Sequence, residues 1–417
     1  MNIEIINIGD ELLIGQVINT NASWMGEQLI LSGFRAGQFT IISDSREHIL
    51  EALAGAEKRA QVVLISGGIG PTRDDITKHT LCEFFNTRLV FNEEAYRDVE
   101  ALFARRGYPV TELNRLQAEL PETCTGIPNK LGTARGMWFE KDRNGGGKTI
   151  FISMPGVPFE MKAMMTDYII PRLKERFNTP YIHHKTILTQ GVGESFLAAR
   201  IESWENALPT HIKLAYLPQP GIVRLRLTGE GKDEKILHQQ IDSEVVKLQG
   251  LIPQYIFGYD LDTLELVVGK LLKERNATLA TAESCTGGTI AQMITSIPGS
   301  SAYFKGSVVA YSNEIKEHIL GVSPETIEKY GAVSKETVTE MAIGLQQRFD
   351  ADYAIATSGI AGPDGGTAEK PVGTTWIAIA APDEVFAEYY LFGDSRERNI
   401  RRTSLQALNL LRKKLLQ

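Results

Sequence analysis

Two potential nucleophiles stand side by side in AESCTGG, residues 282–288: the hydroxyl of Ser284 and the thiol of Cys285. They fall where a strand-like run, TLATAES, gives way to a glycine pair and a helical run, TIAQMITS. Backbone N–H groups at Thr286, Gly287 and Gly288 would be open there to a phosphate or an oxyanion. Either nucleophile must first lose a proton. A thiolate would gain from a helix N-terminus. A Cys–His mechanism also needs a histidine, and this part of the chain has only His318, on a helix expected to be exposed. No Ser-His-Asp set is visible. A lysine can act as the base when burial lowers its pKa. Lys316, about one helical turn beyond Tyr311 in VVAYSNEIKEHI, is in position for that role; its plain alternative is a surface helix residue. A further strand ends in TSGIAGPDGG, residues 357–366, which carries Ser358, Gly359 and Gly362. Three strand-end loops with hydroxyls, glycines and an amine can converge on one pocket.

A second set of candidates lies near the start of the chain. In SGGIGPTRDD, residues 66–75, the glycines after Ser66 (Gly67, Gly68 and Gly70) let backbone N–H groups approach an anion, and Thr72 adds a hydroxyl. Asp10, Glu11, Asp74 and Asp75 supply carboxylates suited to a hard divalent cation. A phosphate cradle beside carboxylates suggests a phosphorylated ligand with a metal. The plain alternative is that the glycines only turn the chain and the acids only cap helices.

The elements that would hold these loops follow from pattern. Residues 1–170 alternate strands with amphipathic helices, which implies a parallel sheet covered on both faces, with its site at the carboxyl ends of the strands. Residues 171–256 read as a small α+β unit ending in the linker IPQYIFGYDLDT. Residues 257–417 return to α/β, closed by the helix ERNIRRTSLQALNLLRKKLL. The expected fold class is therefore two α/β sandwich domains joined by a small α+β domain. A chain of 417 residues fits two or three domains. Its net charge of -7 argues against a large nucleic-acid surface. Three scattered cysteines fit a reducing compartment. No signal-peptide pattern and no long apolar span stand out, so a cytoplasmic protein without a membrane partner is expected.

The motifs carry a specific resemblance. GDELL at 9–13, NTN at 19–21, SGGIGPTRDDIT, NKLGTARG at 129–136 and MPGVPFEM at 154–161 together resemble the molybdopterin-binding-like domain of the CinA family. AESCTGG, VVAYSNEIK, GAVS at 331–334, SGIAGPDGG and KPVGT resemble that family's C-terminal nicotinamide-nucleotide amidase domain, also called PncC. The middle unit resembles the family's KH-like linking domain but lacks a GxxG loop flanked by basic residues, which argues against RNA binding.

For the C-terminal domain the resemblance implies hydrolysis of nicotinamide mononucleotide to nicotinic acid mononucleotide and ammonia. Ser284 would be the nucleophile, Lys316 and Tyr311 its activators and proton relay, and Ser358 an assistant. The substrate phosphate would meet Arg401; GDSR replaces the GDR form associated with the family, which leaves Arg396 and Arg398 as alternatives. No cofactor is expected there. For the N-terminal domain the resemblance implies ADP-ribose pyrophosphatase activity with a divalent metal ion (Mg, Mn or Co). Asp10, Asp74 and Asp75 would lie on the metal side, with Glu11 or Glu160 as base. Molybdopterin binding by that domain, and a non-catalytic adaptor role in competence or DNA damage, are the competing readings. A homodimer is expected by resemblance.

Overall fold

The computed structural model describes residues 1–72, 75–143 and 146–417, with Arg106 described by its backbone alone. The chain divides into two compact units, Met1–His183 with Glu230–Leu237, and His184–Gly229 with His238–Gln417.

The first unit is built on a six-stranded sheet. Its strands are β1 (Ile3–Ile8), β2 (Ala36–Ile42) and β3 (Val62–Ser66), then β6 (Thr125–Ile127), β7 (Gly136–Asp142) and β8 (Lys148–Met154). Two short strands, β4 (Leu89–Phe91) and β5 (Glu119–Pro121), pair with each other outside it. The order is β2-β1-β3-β8-β7-β6. β1, β2, β3 and β8 run parallel, while β7 and β6 add antiparallel to the edge. Every residue of β1 is buried, because helices cover both faces of the sheet. Alternation then sorts the side chains. Ile3 and Ile5 enter one core with Met25 and Leu29, and Ile6 and Ile8 enter the other with Ile49 and Leu53.

The second unit holds two sheets. β9 (Tyr181–Gln190), β10 (Ile212–Gln219), β11 (Ile222–Gly231) and β12 (Ile256–Tyr259) form the order β10-β11-β9-β12. β13 (Leu279–Glu283), β14 (Phe304–Val309), β15 (Tyr353–Gly359), β16 (Thr374–Ala380) and β17 (Val385–Leu391) form the order β14-β13-β15-β16-β17. β13 is parallel to both of its neighbours, and β16 and β17 complete the sheet antiparallel. Leu279 faces the helices Leu264–Glu274, Thr289–Thr295 and Arg396–Leu415, whereas Ala280 and Ala282 face the helix Lys335–Phe349. Two sheets covered on both faces and one small α+β sheet give the α/β class the sequence implied. No described helix is long and apolar enough to cross a membrane.

A buried polar chain ties the smaller sheet of this unit to the closing helix. Gln190, at the end of β9, donates from Nε2 to Gln406 Oε1 at 2.7 Å and accepts from Asn409 Nδ2. Arg412 Nε donates to Asn409 Oδ1 at 2.9 Å. Removing one member orphans the others, which costs about 1–3 kcal/mol each time. Gln190→Ala is therefore expected to lower the unfolding free energy of the second unit by about that amount, read by urea denaturation followed through a probe in that unit.

Candidate functional site

In the second unit, register fixes the candidate site before any side chain is considered. Glu283, the last residue of β13, pairs with Val309 of β14 and with Thr357 of β15. The next residues, Ser284, Ala310 and Ser358, therefore stand abreast at the carboxyl ends of three parallel strands. The Ser284 N–H donates to Thr357 O at 3.0 Å, and the Gly287 N–H donates back to Ser284 O at 3.1 Å. That closes a tight turn, and both glycines at its exit have positive φ, Gly287 at 60° and Gly288 at 96°. Ser284 is half-buried, and its hydroxyl makes no hydrogen bond among the described residues.

Lys316 is buried, only 2% exposed, and not the surface residue its helical setting allowed. Its helix, Asn313–Leu320, is capped by Ser312, whose Oγ accepts from the Ile315 N–H. The amine turns back to donate to Ala310 O at 2.8 Å, with Tyr311 O and Ser312 O at 3.5 Å. It thus sits on the residue abreast of Ser284, although no Lys316–Ser284 hydrogen bond is present. Burial lowers the amine's pKa, and the nearby Cys285 partly offsets this. Cys285 is buried as well, and burial pushes its thiol up to about 12. It remains a thiol at neutral pH, despite its place beside a helix start.

Several expected partners sit elsewhere than the sequence reading put them. Tyr311 is 64% exposed, and its hydroxyl accepts from Arg396 Nη2 at 3.0 Å rather than meeting Lys316. Ser358 is buried and donates to Ala332 O at 2.6 Å, which ties down the GAVS loop. Gly359 runs so close to β16 that a Cβ would fall 2.7 Å from Thr374 O. The Gly362 carbonyl accepts from Arg396 Nη1 at 2.9 Å. Arg401 lies with Nη1 3.5 Å from Met293 Sδ, against the helix Thr289–Thr295, so the arginine at the rim of these loops is Arg396.

The expected N–H donors also narrow. The Gly287 N–H is spent within the turn, and the Gly288 N–H donates to the Glu283 carboxylate. Thr286 Oγ1 pairs with Thr357 Oγ1 at 2.8 Å. Among the described residues, the N–H groups of Cys285 and Thr286 remain without an acceptor. Sequence reasoning passed over Glu283. A carboxylate ending an all-buried strand must find donors, and that was the available signal.

In the first unit, the loops after β1, β3 and β8 meet. Ser66 Oγ donates to Pro155 O at 3.2 Å and accepts from Asn21 Nδ2 at 3.3 Å; the same nitrogen donates to Gly156 O at 2.7 Å. A Cβ at Gly67, whose φ is 119°, would come within 2.2 Å of Ile8 O, so only glycine fits there. The N–H groups of Gly68, Ile69 and Gly70 have no acceptor among the described residues. The buried Thr77 hydroxyl, also without a partner, lies directly against Gly68. This is a cradle for an oxyanion. Thr72 is not part of it, since its N–H and hydroxyl both donate to Asp75 Oδ2.

Among the described residues, the carboxylates do not close around a metal. Asp74 lies outside the described residues. Among those described, no three Asp, Glu, His or Cys side chains are arranged as a ligand set. Asp75 is committed to Thr72, and Glu160 accepts from Asn129 Nδ2 at 2.6 Å, where it braces the NKLGTARG loop. Asp44, overlooked in the sequence, accepts the Asp10 N–H at 3.1 Å. Partial burial raises its pKa, and the charges of Asp10, Glu11 and Asp75 add to the rise. The described donor set does not fit a preformed metal centre.

Comparison with known proteins covers the whole chain. Residues 4–175 match the probable molybdopterin binding domain family, 184–258 the damage-inducible protein CinA KH domain, and 261–415 the CinA C-terminal domain. A CinA-like protein of Flavobacterium psychrophilum is 49% identical over 420 residues, covering 100% of this chain and 99% of that relative. A CinA-like protein of Cytophaga hutchinsonii is 48% identical over 412 residues, covering 99% of this chain and 97% of that relative. Among solved structures, the competence/damage inducible protein CihA of Agrobacterium tumefaciens is 40% identical, covering 37% of this chain and 94% of its own, at a TM-score of 0.36.

Burial of Lys316 sets a pH trend. Its folded pKa lies below the ordinary 10.5, so between those two values the unfolded chain binds more protons. Its cost to stability is greatest below the folded pKa and vanishes as pH passes 10.5. Lys316→Met should therefore gain most over the parent at neutral pH, with the margin shrinking by pH 10, as measured by urea unfolding at each pH.

Proposed function

The chain belongs to the CinA family, and on that premise we propose that its C-terminal domain is a nicotinamide-nucleotide amidase with Ser284 as nucleophile and Lys316 as base. The observation that carries this reading is the buried Lys316 amine, held at 2.8 Å on the carbonyl of Ala310, the residue abreast of Ser284. Burial lowers the pKa of that amine, which favours its neutral, proton-accepting form. In the proposed reaction, Ser284 Oγ attacks the carboxamide carbon of nicotinamide mononucleotide and its proton passes to Lys316. The N–H groups of Cys285 and Thr286 hold the oxyanion. As the C–N bond breaks, Lys316 returns the proton to the leaving nitrogen and ammonia departs. Water, deprotonated by the same amine, attacks the acyl ester; nicotinic acid mononucleotide leaves and Ser284 regains its proton. Burial of Cys285 as a neutral thiol supports the hydroxyl as the reacting group. Arg396, at the rim with Tyr311, is the candidate for the substrate phosphate.

For the N-terminal domain we infer a phosphoryl-binding site in the cradle of Gly68, Ile69 and Gly70, with ADP-ribose as the proposed ligand. The three N–H groups and the Thr77 hydroxyl, none with a partner among the described residues, support it. Its hydrolysis with a divalent ion rests on the family resemblance, not on an assembled metal site. Calorimetry with ADP-ribose against a pterin phosphate separates this reading from molybdopterin binding.

Ammonia release from nicotinamide mononucleotide tests the amidase directly. Ser284→Ala is expected to lose about 10³-fold or more in kcat, and Cys285→Ala to stay within severalfold of the parent. Wild-type turnover by Ser284→Ala would end the assignment. Arg396→Ala is expected to raise KM for the nucleotide about 10-fold while leaving the poor reaction of the phosphate-free riboside unchanged.

A further inference from the structure

Glu283 is 0% exposed, and no Lys, Arg or His among the described residues forms an ion pair with it. A carboxylate so placed survives only if its lone pairs are met. Here they are met by one structural feature. Oε2 accepts the N–H groups of Gly288 and Ile290, each at 3.0 Å, and Oε1 accepts that of Ala291 at 2.8 Å. The Thr281 hydroxyl donates from 3.4 Å. Those three N–H groups open the helix Thr289–Thr295, which carries no side-chain cap from the residue before it. An isolated helix leaves them to water or to an anion. In this chain the last residue of β13 reaches over the nucleophile turn and takes them itself. Alternation explains the direction: Glu283 lies on the same face of β13 as Leu279, which shares one hydrophobic core with Ile290 and Met293 of that helix.

Both ends of the turn Ser284–Gly287 are thereby fixed. One end is the Ser284 N–H on Thr357 O, and the other is the helix start on Glu283. Two consequences bear on chemistry. The helix start is filled by a carboxylate, so the substrate phosphate must be met elsewhere. Among the described residues, the turn N–H groups left for a developing oxyanion belong to Cys285 and Thr286.

We propose that Glu283 is a positioning residue: its carboxylate clamps the first turn of the following helix and so holds Ser284 and the N–H pair of Cys285 and Thr286 in their reactive arrangement. The inference rests on the amidase reading for its catalytic consequence and on geometry for the clamp. Glu283 touches no substrate and acts only through the turn. A displacement of about 1 Å at a reacting group costs on the order of 10²-fold in rate, which sets the expected effect.

The test uses Glu283→Gln in the full chain. One acceptor oxygen survives, and the new amide N–H₂ opposes the backbone donors. In the folded variant, kcat for ammonia release should fall about 10²-fold while KM stays within about twofold, and sulfonylation of Ser284 by phenylmethylsulfonyl fluoride should slow by a similar factor. A cap that serves stability alone would lower the melting temperature and leave both rates near those of the parent, and that result overturns the proposal. If the variant does not fold, amide hydrogen exchange in the wild-type chain decides the clamp. The N–H groups of Gly288, Ile290 and Ala291 should be protected well beyond ordinary first-turn amides; free exchange at all three overturns it. If the wild-type chain releases no ammonia but Ser284 labelling still slows in Glu283→Gln, the amidase reading falls and the positioning role stands.

Discussion

The C-terminal domain depends on one costly arrangement: an amine removed from water at the end of a parallel sheet. Among the described residues Lys316 meets only backbone carbonyls, that of Ala310 at 2.8 Å and those of Tyr311 and Ser312 at 3.5 Å, and no carboxylate. A surface lysine would keep its charge and be useless as a base at neutral pH. Desolvation shifts the balance toward the neutral amine, and the strand register decides where that amine is delivered. The rest of the domain can be read as support for this placement. The Ser312 cap starts the lysine's helix, Leu320 anchors its far end in the core, and the small side chains Ala280 and Ala282 let the helix Lys335–Phe349 pack closely on the sheet behind it.

Burial also separates the two neighbouring nucleophiles. A thiol beside a helix start is ordinarily a candidate for activation. Cys285 is denied it twice. Its surroundings exclude water, and the helix start is already neutralised by Glu283, whose charge opposes a thiolate. Ser284 remains half-open, with a hydroxyl that makes no hydrogen bond among the described residues. Position in the sequence is almost the same for both residues, and the difference lies in the side of the turn each one occupies.

The sheets and their parallel strands were legible because their cause is local: apolar runs of strand length, amphipathic helices between them, and glycines at the exits. The meeting of AESCTGG with VVAYSNEIK and SGIAG followed from topology. What the sequence withheld was direction. Nothing in NEIKEHI says that Lys316 turns inward while His318 stays exposed, since both sit on one short helix. Likewise Arg396 and Arg401 are alike in the sequence, and only the docking of the closing helix sets one against Tyr311 and the other against Met293. Asn399, equally unremarked, fixes that docking: it donates to Ala361 O at 3.0 Å and to Gly393 O at 2.7 Å, and accepts the Gly393 N–H at 3.1 Å. Thr72 was read as a phosphate-binding hydroxyl in a glycine loop, and Ser358 as an assistant to the nucleophile by the family resemblance. Here each closes a local tie, to Asp75 and to Ala332.

The two α/β domains place loops at the same end of their sheets and use the exposed backbone differently. After β3, the N–H groups of Gly68, Ile69 and Gly70 have no acceptor among the described residues, and the nearby acids do not fill them; the charges of Asp10, Glu11 and Asp75 instead add to burial in raising the pKa of Asp44. After β13, the chain fills its own helix start with Glu283 and leaves two N–H groups at the turn. An open cradle suits a ligand that arrives already charged, such as a diphosphate. A filled one suits a reaction in which charge appears only on the way to the transition state, because donors that bound a ground-state anion equally well would not lower the barrier. In that sense the carboxylate at 283 works by occupancy: it removes the stronger anion site, so that the remaining N–H groups are reserved for the oxygen that becomes negative.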